Sequence, residues 1–353
     1  DFNPAEELAI TNSRVDGLEA RLNNFEAGSF SETTTASFSA NFYVGAEDTS
    51  STETSTGLAT DNDLDDSIDA GYDFGIALNT SFTGEDSLDI AIDAGNAAAF
   101  GEFDADSTAG DMLVVDGVSY TFPVGGATVF VGDNTDGSLL FTTACVYGGP
   151  SNTLDDCGNA YSALNAGSGV AFGAAYDFGN GFTTAFGITS DPSSVLTEES
   201  NDASAINLAY TGDNYGVSVS YAELDFVQTG VTDSSFLALN GYYTPEGLPS
   251  ISVGYETAES SIPSIKSTDT SSDHWFIGLS WDEVGPGSAG IAVGTKEHTL
   301  DATGYEEQLM YEAYYDYPVN DSMTITPLIY AKEVSTTGVD DTTGVMVKTS
   351  FSF

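Results

Sequence analysis

Residues 70–95 read AGYDFGIALNTSFTGEDSLDIAIDAG. In the first half Tyr72, Phe74, Ile76 and Leu78 alternate with Asp73, Gly75, Ala77 and Asn79. Gly84-Glu85-Asp86 follows, and then Leu88, Ile90 and Ile92 alternate with Asp89, Ala91 and Asp93. A period of two puts the apolar and polar residues on opposite faces of an extended chain, so the stretch is a β-hairpin with a tight turn. Three aspartates share the polar face. That face must meet water, while the other carries a continuous aliphatic and aromatic stripe.

The pattern extends outward from this hairpin. Upstream, Ala36, Phe38, Ala40, Phe42 and Val44 alternate with Ser37, Ser39, Asn41 and Tyr43. At the C-terminal end Val345, Val347, Phe351 and Phe353 oppose Met346, Lys348, Ser350 and Ser352. The spacing predicts about sixteen strands: 35–46, 70–83, 87–95, 117–123, 127–132, 169–178, 181–190, 204–211, 214–223, 235–243, 249–257, 272–281, 288–296, 307–317, 323–332 and 342–353. The connections alternate between short and long. Gly179-Asn180 and Gly212-Asp213 are short turns of residues that tolerate positive φ. The long ones run through 47–69, 96–116, 133–168, 191–203, 224–234, 258–271, 297–306 and 333–341. A soluble sandwich has no reason to alternate its loops this way. An antiparallel up-and-down transmembrane barrel does, with short turns on the periplasmic side and long loops outside. No stretch reaches the ~20 consecutive apolar residues of a membrane-spanning helix. The expected fold class is therefore all-β and transmembrane, with the barrel over 29–353 and both termini on the short-turn side.

The charge is extreme: 6 Lys+Arg against 55 Asp+Glu, a formal net charge of −49. Nucleic acid is excluded as a partner, because phosphate neutralisation needs basic residues. Acidity alone would also fit disorder, but 18 Tyr and 21 Phe argue for ordered β structure. The charge suits a high-salt medium, in which self-repulsion is screened. Motifs of enzyme chemistry are absent: no GxSxG, HExxH or Gly-rich phosphate loop occurs.

Residues 1–28 break the period of two. Leu8, Thr11, Val15, Leu18, Leu22 and Phe25 alternate spacings of three and four, a heptad stripe. Such a helix is too short to stand alone. It packs either on its own protein or, as we expect, on copies of itself. Cys145 and Cys157 lie in the longest connection, 133–168. They are free thiols or, in an oxidising compartment, a disulfide, which we expect. That connection, carrying Asp155 and Asp156, either forms an external flap or folds into the barrel and narrows it; we expect the second. By alternation Asp73, Asp89, Asp93, Asp177, Glu312 and Asp316 face the lumen, as do Lys296 and Lys348. Rings of carboxylate would form a cation filter. Tyr43, Phe276 and Tyr314 would be the inward aromatics of a sugar-stacking track. In 47–69, Asp61, Asp63 and Asp65 are spaced like calcium ligands but lack the Gly and terminal Glu of an EF-hand, leaving at most a weak surface Ca2+ site. No resident cofactor is expected.

The run PAEELAITNSRVDGLEARLNNFEAGSFSETTTASFSANF, 4–42, resembles the junction in cyanobacterial outer-membrane porins, in which a surface-layer homology (SLH) domain precedes a coiled coil and the first barrel strand. The match rests on Arg14–Arg21 and Phe30–Thr35. NTSFTGEDSLDIAIDAGN, 79–96, resembles the family's second hairpin, and FPVG, 122–125, its next turn. The resemblance implies a homotrimeric porin of the outer membrane, related to carbohydrate-selective porins, whose SLH domain binds cell-wall polymer. Such a domain would precede Asp1. Asp89 and Asp93 stand where that family carries basic residues, which points away from anions. The expected function is passive diffusion of small hydrophilic solutes and ions, favouring cations. The alternatives are a sugar-specific channel and a structural envelope protein with a plugged barrel.

Overall fold

In a computed structural model of the chain, the described residues are 33–48, 52–53, 60–61, 67–105, 111–164, 169–197, 200–225, 233–260, 270–301, 306–334 and 341–353. The helix proposed over 1–28, with Leu8, Val15, Leu18, Leu22 and Phe25, lies outside them, as do Asp63 and Asp65. Asp61 falls in a two-residue strand, 60–61, that pairs with 52–53.

Seventeen strand segments share one sheet, and all but the two-residue Thr299–Leu300 form its wall. The sixteen wall strands are β1 (Thr34–Asp48), β2 (Asp69–Thr80), β3 (Ser87–Gly95), β4 (Val114–Val124), β5 (Ala127–Asp133), β6 (Val170–Gly179), β7 (Phe182–Ser190) and β8 (Asp202–Thr211). They continue as β9 (Tyr215–Asp225), β10 (Ser234–Tyr243), β11 (Ser250–Ser260), β12 (Thr270–Val284), β13 (Gly287–Thr295), β14 (Leu309–Asn320), β15 (Met323–Lys332) and β16 (Thr342–Ser352). Each pairs antiparallel with its sequence neighbours. The sheet closes where β1 meets β16, with Ser39 opposite Ser352 and Asp48 opposite Thr343. Closure leaves no open edge, so the wall's backbone groups find partners without water.

Each predicted strand has its counterpart. The ends differ by a few residues: β12 runs over Thr270–Val284 rather than 272–281, and β4 begins at Val114 rather than 117. Apolar alternation stops where the wall leaves an apolar surrounding, whereas the backbone ladder needs no apolar side chain to continue. The turn between β6 and β7 holds Gly179, Asn180 and Gly181 at φ of 77°, 54° and 85°. Positive φ there matches the turn to the strands' twist, and Asn and Gly adopt it at least cost. In the β2–β3 turn, Asp86 accepts from the Phe82 and Thr83 N–H groups (3.0 and 2.7 Å) and from the hydroxyls of Ser81 (2.9 Å) and Tyr120 (2.7 Å). With the Tyr120 hydroxyl as the largest cause, these donors hold its carboxyl well below the usual range.

Alternation decides what faces out. On β9, Val217 and Tyr221 are exposed, while Ser218, Ser220 and Ala222 are buried. Ile206, Leu208, Leu237, Leu239, Val253 and Ile329 continue this outward apolar surface. At the short-turn end aromatics ring it: Phe182 packs on Tyr210 at 4.7 Å and Tyr210 on Tyr215 at 5.6 Å. At the long-loop end Tyr255 is registered with Trp275. An apolar band between aromatic girdles suits a wall in contact with hydrocarbon. The most buried side chains lie on the inside, where Tyr43, Phe276, Met310, Leu328 and Met346 of the wall form one cluster with Phe100, Phe103, Tyr147 and Leu154 of the loops.

Candidate functional site: a lumen narrowed by three loops

Of the connection 133–168, the described residues 134–164 lie along the inner wall. Its Thr142 N–H donates to Asn207 of β8 at 3.0 Å, its Ala144 N–H to Ser218 of β9 at 2.9 Å and its Val146 N–H to Ser252 of β11 at 3.0 Å. The Tyr147 hydroxyl donates to Glu312 of β14 at 2.5 Å, and its ring lies 5.3 Å from that of Phe276. On the return path Asn240 of β10 donates to the Cys157 carbonyl at 2.7 Å. Cys145 and Cys157 are disulfide-bonded, with Cα atoms 6.4 Å apart, and so tie the outgoing arm to the returning one. The wall is glycine-lined where the loop crosses: a Cβ on Gly254 would lie 1.7 Å from the Cys157 carbonyl oxygen. Only glycine permits that approach.

Residues 96–105 of a second connection also turn inward, which the alternation did not indicate. A short 3-10 segment, Ala98–Phe103, places Phe100 and Phe103 against Tyr43, at ring separations of 5.4 and 5.8 Å. Between them Glu102 pairs with Lys332 of β15 and accepts the Thr153 N–H at 3.1 Å. The Glu102 carbonyl accepts the Asn152 N–H at 3.0 Å. The two loops thus meet inside the barrel.

A third link comes from the connection after β13. His298 contacts the fully buried Glu256 of β11 through Nε2 at 2.7 Å. Glu256 also accepts the N–H groups of Tyr161 (3.1 Å) and Ser162 (2.8 Å). The His298 ring stacks on His274 of β12 at 5.6 Å, and His274 Nδ1 lies 2.8 Å from the Thr295 hydroxyl. The chain's two histidines, 24 residues apart with no metal-ligand spacing, are therefore neighbours in space. Sequence spacing alone does not bring them together.

The residues expected to line the lumen fall into three groups. Asp89 and Asp93 of β3 face inward and are half-buried; Asp89 accepts from Asn79 at 2.6 Å and from Ser87 at 2.7 Å. Asp316 and Lys348 are inward and half-buried as well, and Lys348 Nζ sits 5.2 Å from the centre of the Phe103 ring. Asp73 and Glu312 also point inward but are buried under the loops, with Asp73 bonded to Asn41 and Tyr43. They act as anchors for the fill rather than as a surface toward open water, because apolar loop residues cover them. Asp177 lies at the short-turn rim, exposed, and accepts the Gly179 N–H at 2.7 Å. Lys296 follows the end of β13, its Nζ 3.5 Å from the Gln308 Oε1. The three candidate stacking aromatics are covered as well: Tyr43, Phe276 and Tyr314 are 3%, 1% and 8% exposed. As placed, they offer no face to a passing sugar.

Asp155 and Asp156, on the far arm of the disulfide loop, border a cavity of about 320 Å³ with Thr143, Tyr147 and Asn159. The Asp155 side chain is exposed to this confined, protein-lined space. The loss of bulk water around it, with Asp156 and Asp104 nearby, raises its pKa to about 7. Among the described residues, no group of three or more His, Cys, Asp or Glu side chains is arranged to hold a metal ion.

No family model matches the chain. An uncharacterized protein of Nostoc sp. is 32% identical over 142 residues, which is 35% of this chain and 23% of that protein. The chain therefore spans well under two thirds of that relative. Among solved structures, Pseudomonas putida OprB superposes with a TM-score of 0.66 at 11% identity, covering 91% of this chain and 94% of that one. An anion-selective porin from Comamonas acidovorans gives 0.62 at 13%, covering 91% and 99%. A porin refined at 1.8 Å gives 0.55 at 17%, covering 90% and 100%. The fold is that of the sixteen-stranded bacterial outer-membrane porins.

Proposed function

We propose that this chain is an outer-membrane porin, a passive channel for small hydrophilic solutes and inorganic ions that favours cations. One observation carries the reading: a closed barrel with an apolar, aromatic-ringed exterior encloses an interior narrowed by its own loops and bordered by carboxylates. Beyond the buried anchors Asp73, Glu102, Glu256 and Glu312, Asp89, Asp93, Asp104, Asp155, Asp156 and Asp316 are among the acids of that interior. A low-dielectric wall strengthens their field, so cations concentrate and anions are depleted. Each step is diffusion, with no covalent chemistry. The apolar outer face is the surface that membrane lipid would cover, and association into trimers would cover part of it as well. The N-terminal stripe over 1–28 would add helix contacts to such a trimer, and a preceding SLH domain would bind cell-wall polymer.

The depth of the loop packing favours a second reading, an envelope protein whose barrel is closed by its own loops. Liposome swelling separates the two. Vesicles carrying the purified protein swell in small neutral sugars and amino acids if the passage is open. No swelling beyond empty vesicles supports the plugged barrel.

A further inference from the structure

The inward residues 96–105 reach both of the wall lysines that face the interior among the described residues, and bring a carboxylate onto one of them. Lys332 of β15 reaches inward with its Nζ 5.4 Å from the centre of the Tyr330 ring, and pairs with Glu102. Lys348 of β16 lies over Phe103 of the same loop, within the field of Asp316, Asp73 and Asp104. The Glu102–Lys332 pair is held from several sides. Phe100 and Phe103 flank it and are buried against Tyr43 of β1. The disulfide loop donates the Thr153 N–H to the Glu102 carboxylate and the Asn152 N–H to its carbonyl. The Glu102 side chain is 5% exposed and that of Lys332 20%.

We propose that Glu102 is a specificity-determining residue: it cancels the Lys332 charge and keeps an otherwise cationic stretch of wall from recruiting anions. The inference rests on the reading of the barrel as a conducting channel. An unpaired ammonium in a low-dielectric wall raises the local potential and favours anions. A carboxylate fixed on it removes that effect. What remains for a passing ion is the field of Asp89, Asp93, Asp104, Asp155, Asp156 and Asp316. Residues 96–105 are thus an electrostatic part of the constriction as well as a steric one. The pairing also explains why a wall with inward lysines need not conduct anions.

The test is a charge-swap cycle on the full chain in planar bilayers, reading the cation-to-anion permeability ratio in dilute salt. Glu102→Gln keeps the shape and an acceptor for Thr153 but exposes the lysine charge, and should lower the ratio about twofold: one unit charge across ~8 Å of water, screened at ~0.1 M salt, shifts cations and anions about 1.5-fold each in opposite senses. Lys332→Met keeps the apolar stem, frees the carboxylate and should raise the ratio by a similar factor. The double variant should return to the wild-type value. Unchanged ratios in both single variants, or a double variant displaced as far as either single one, would overturn the proposal. If Glu102→Gln fails to fold, as judged by heat-modifiable gel migration, Lys332→Met decides alone, and an unchanged ratio there also overturns it. Wild-type protein that forms no channel overturns the porin reading instead.

Discussion

Replacing Glu256 with alanine removes the point at which two loops are fastened to the wall. The carboxylate is fully buried and accepts the Tyr161 and Ser162 N–H groups and the His298 ring. A hydrogen bond to a charged group contributes about 1.5–3 kcal/mol, and a buried donor left without a partner costs about 1–3 kcal/mol. Two backbone donors are orphaned, so the returning arm of the disulfide loop loses at least ~3 kcal/mol of local stability. The wall is unaffected, because its ladder does not use this side chain. Local opening should therefore become about 100-fold more frequent, at ~1.4 kcal/mol per factor of ten. Hydrogen exchange followed by mass spectrometry reads this directly: peptides covering Tyr161 and Ser162 should exchange about two orders of magnitude faster, while β9 and β10 keep their protection. Glu256→Gln retains an acceptor and should fall in between. An alanine variant whose loop peptides exchange at the wild-type rate would refute the assignment of Glu256 as the fastening point.

Other expectations follow from the same geometry. Asp155 has a pKa of about 7, so its charge is present above that pH and lost below it. The cation-to-anion permeability ratio should fall as pH drops from 8 to 6, and Asp155→Asn should flatten that step. Replacing Cys145 and Cys157 together with serine opens a short cross-link with a sequence separation of 12 and should cost ~3 kcal/mol or less; it should leave the barrel folded on heat-modifiable gels while increasing current noise in bilayer recordings. Neutralising Asp89 and Asp93 together as asparagine should lower the ratio, and the effect should fade as salt approaches ~1 M, where the screening length is ~3 Å.

The wall was legible because a barrel strand leaves a strong signal: Val217, Val219 and Tyr221 out, Ser218, Ser220 and Ala222 in. The turns were legible for the same local reason, as in Gly179-Asn180-Gly181. The interior was less so. Alternation gives the face on which Asp73 and Glu312 lie, but does not tell whether water or a loop covers that face. A clue was present in the inward apolar residues. Met310, Leu328 and Met346 stand on a face that open water would disfavour, and they need a cover. Phe100 and Phe103, in a connection with no strand pattern, provide it. Glycines such as Gly254, inward and opposite no turn, marked where the disulfide loop lies against the wall. The His274–His298–Glu256 contact is a product of register: Glu256 and His274 stand opposite each other on β11 and β12, and the connection after β13 folds His298 back onto them, which alternation alone does not reveal.

A conducting pore whose carboxylates select for cations has a definite electrical signature. The most direct measurement is the reversal potential of the purified protein in a planar bilayer under a tenfold KCl gradient, with the dilute side near 0.1 M. Discrete conductance steps are expected, with a reversal potential of the sign of potassium's equilibrium potential that moves toward zero as both solutions are made more concentrated. A potential of chloride's sign in dilute salt, or an absence of conductance from folded protein, would contradict a cation-selective pore.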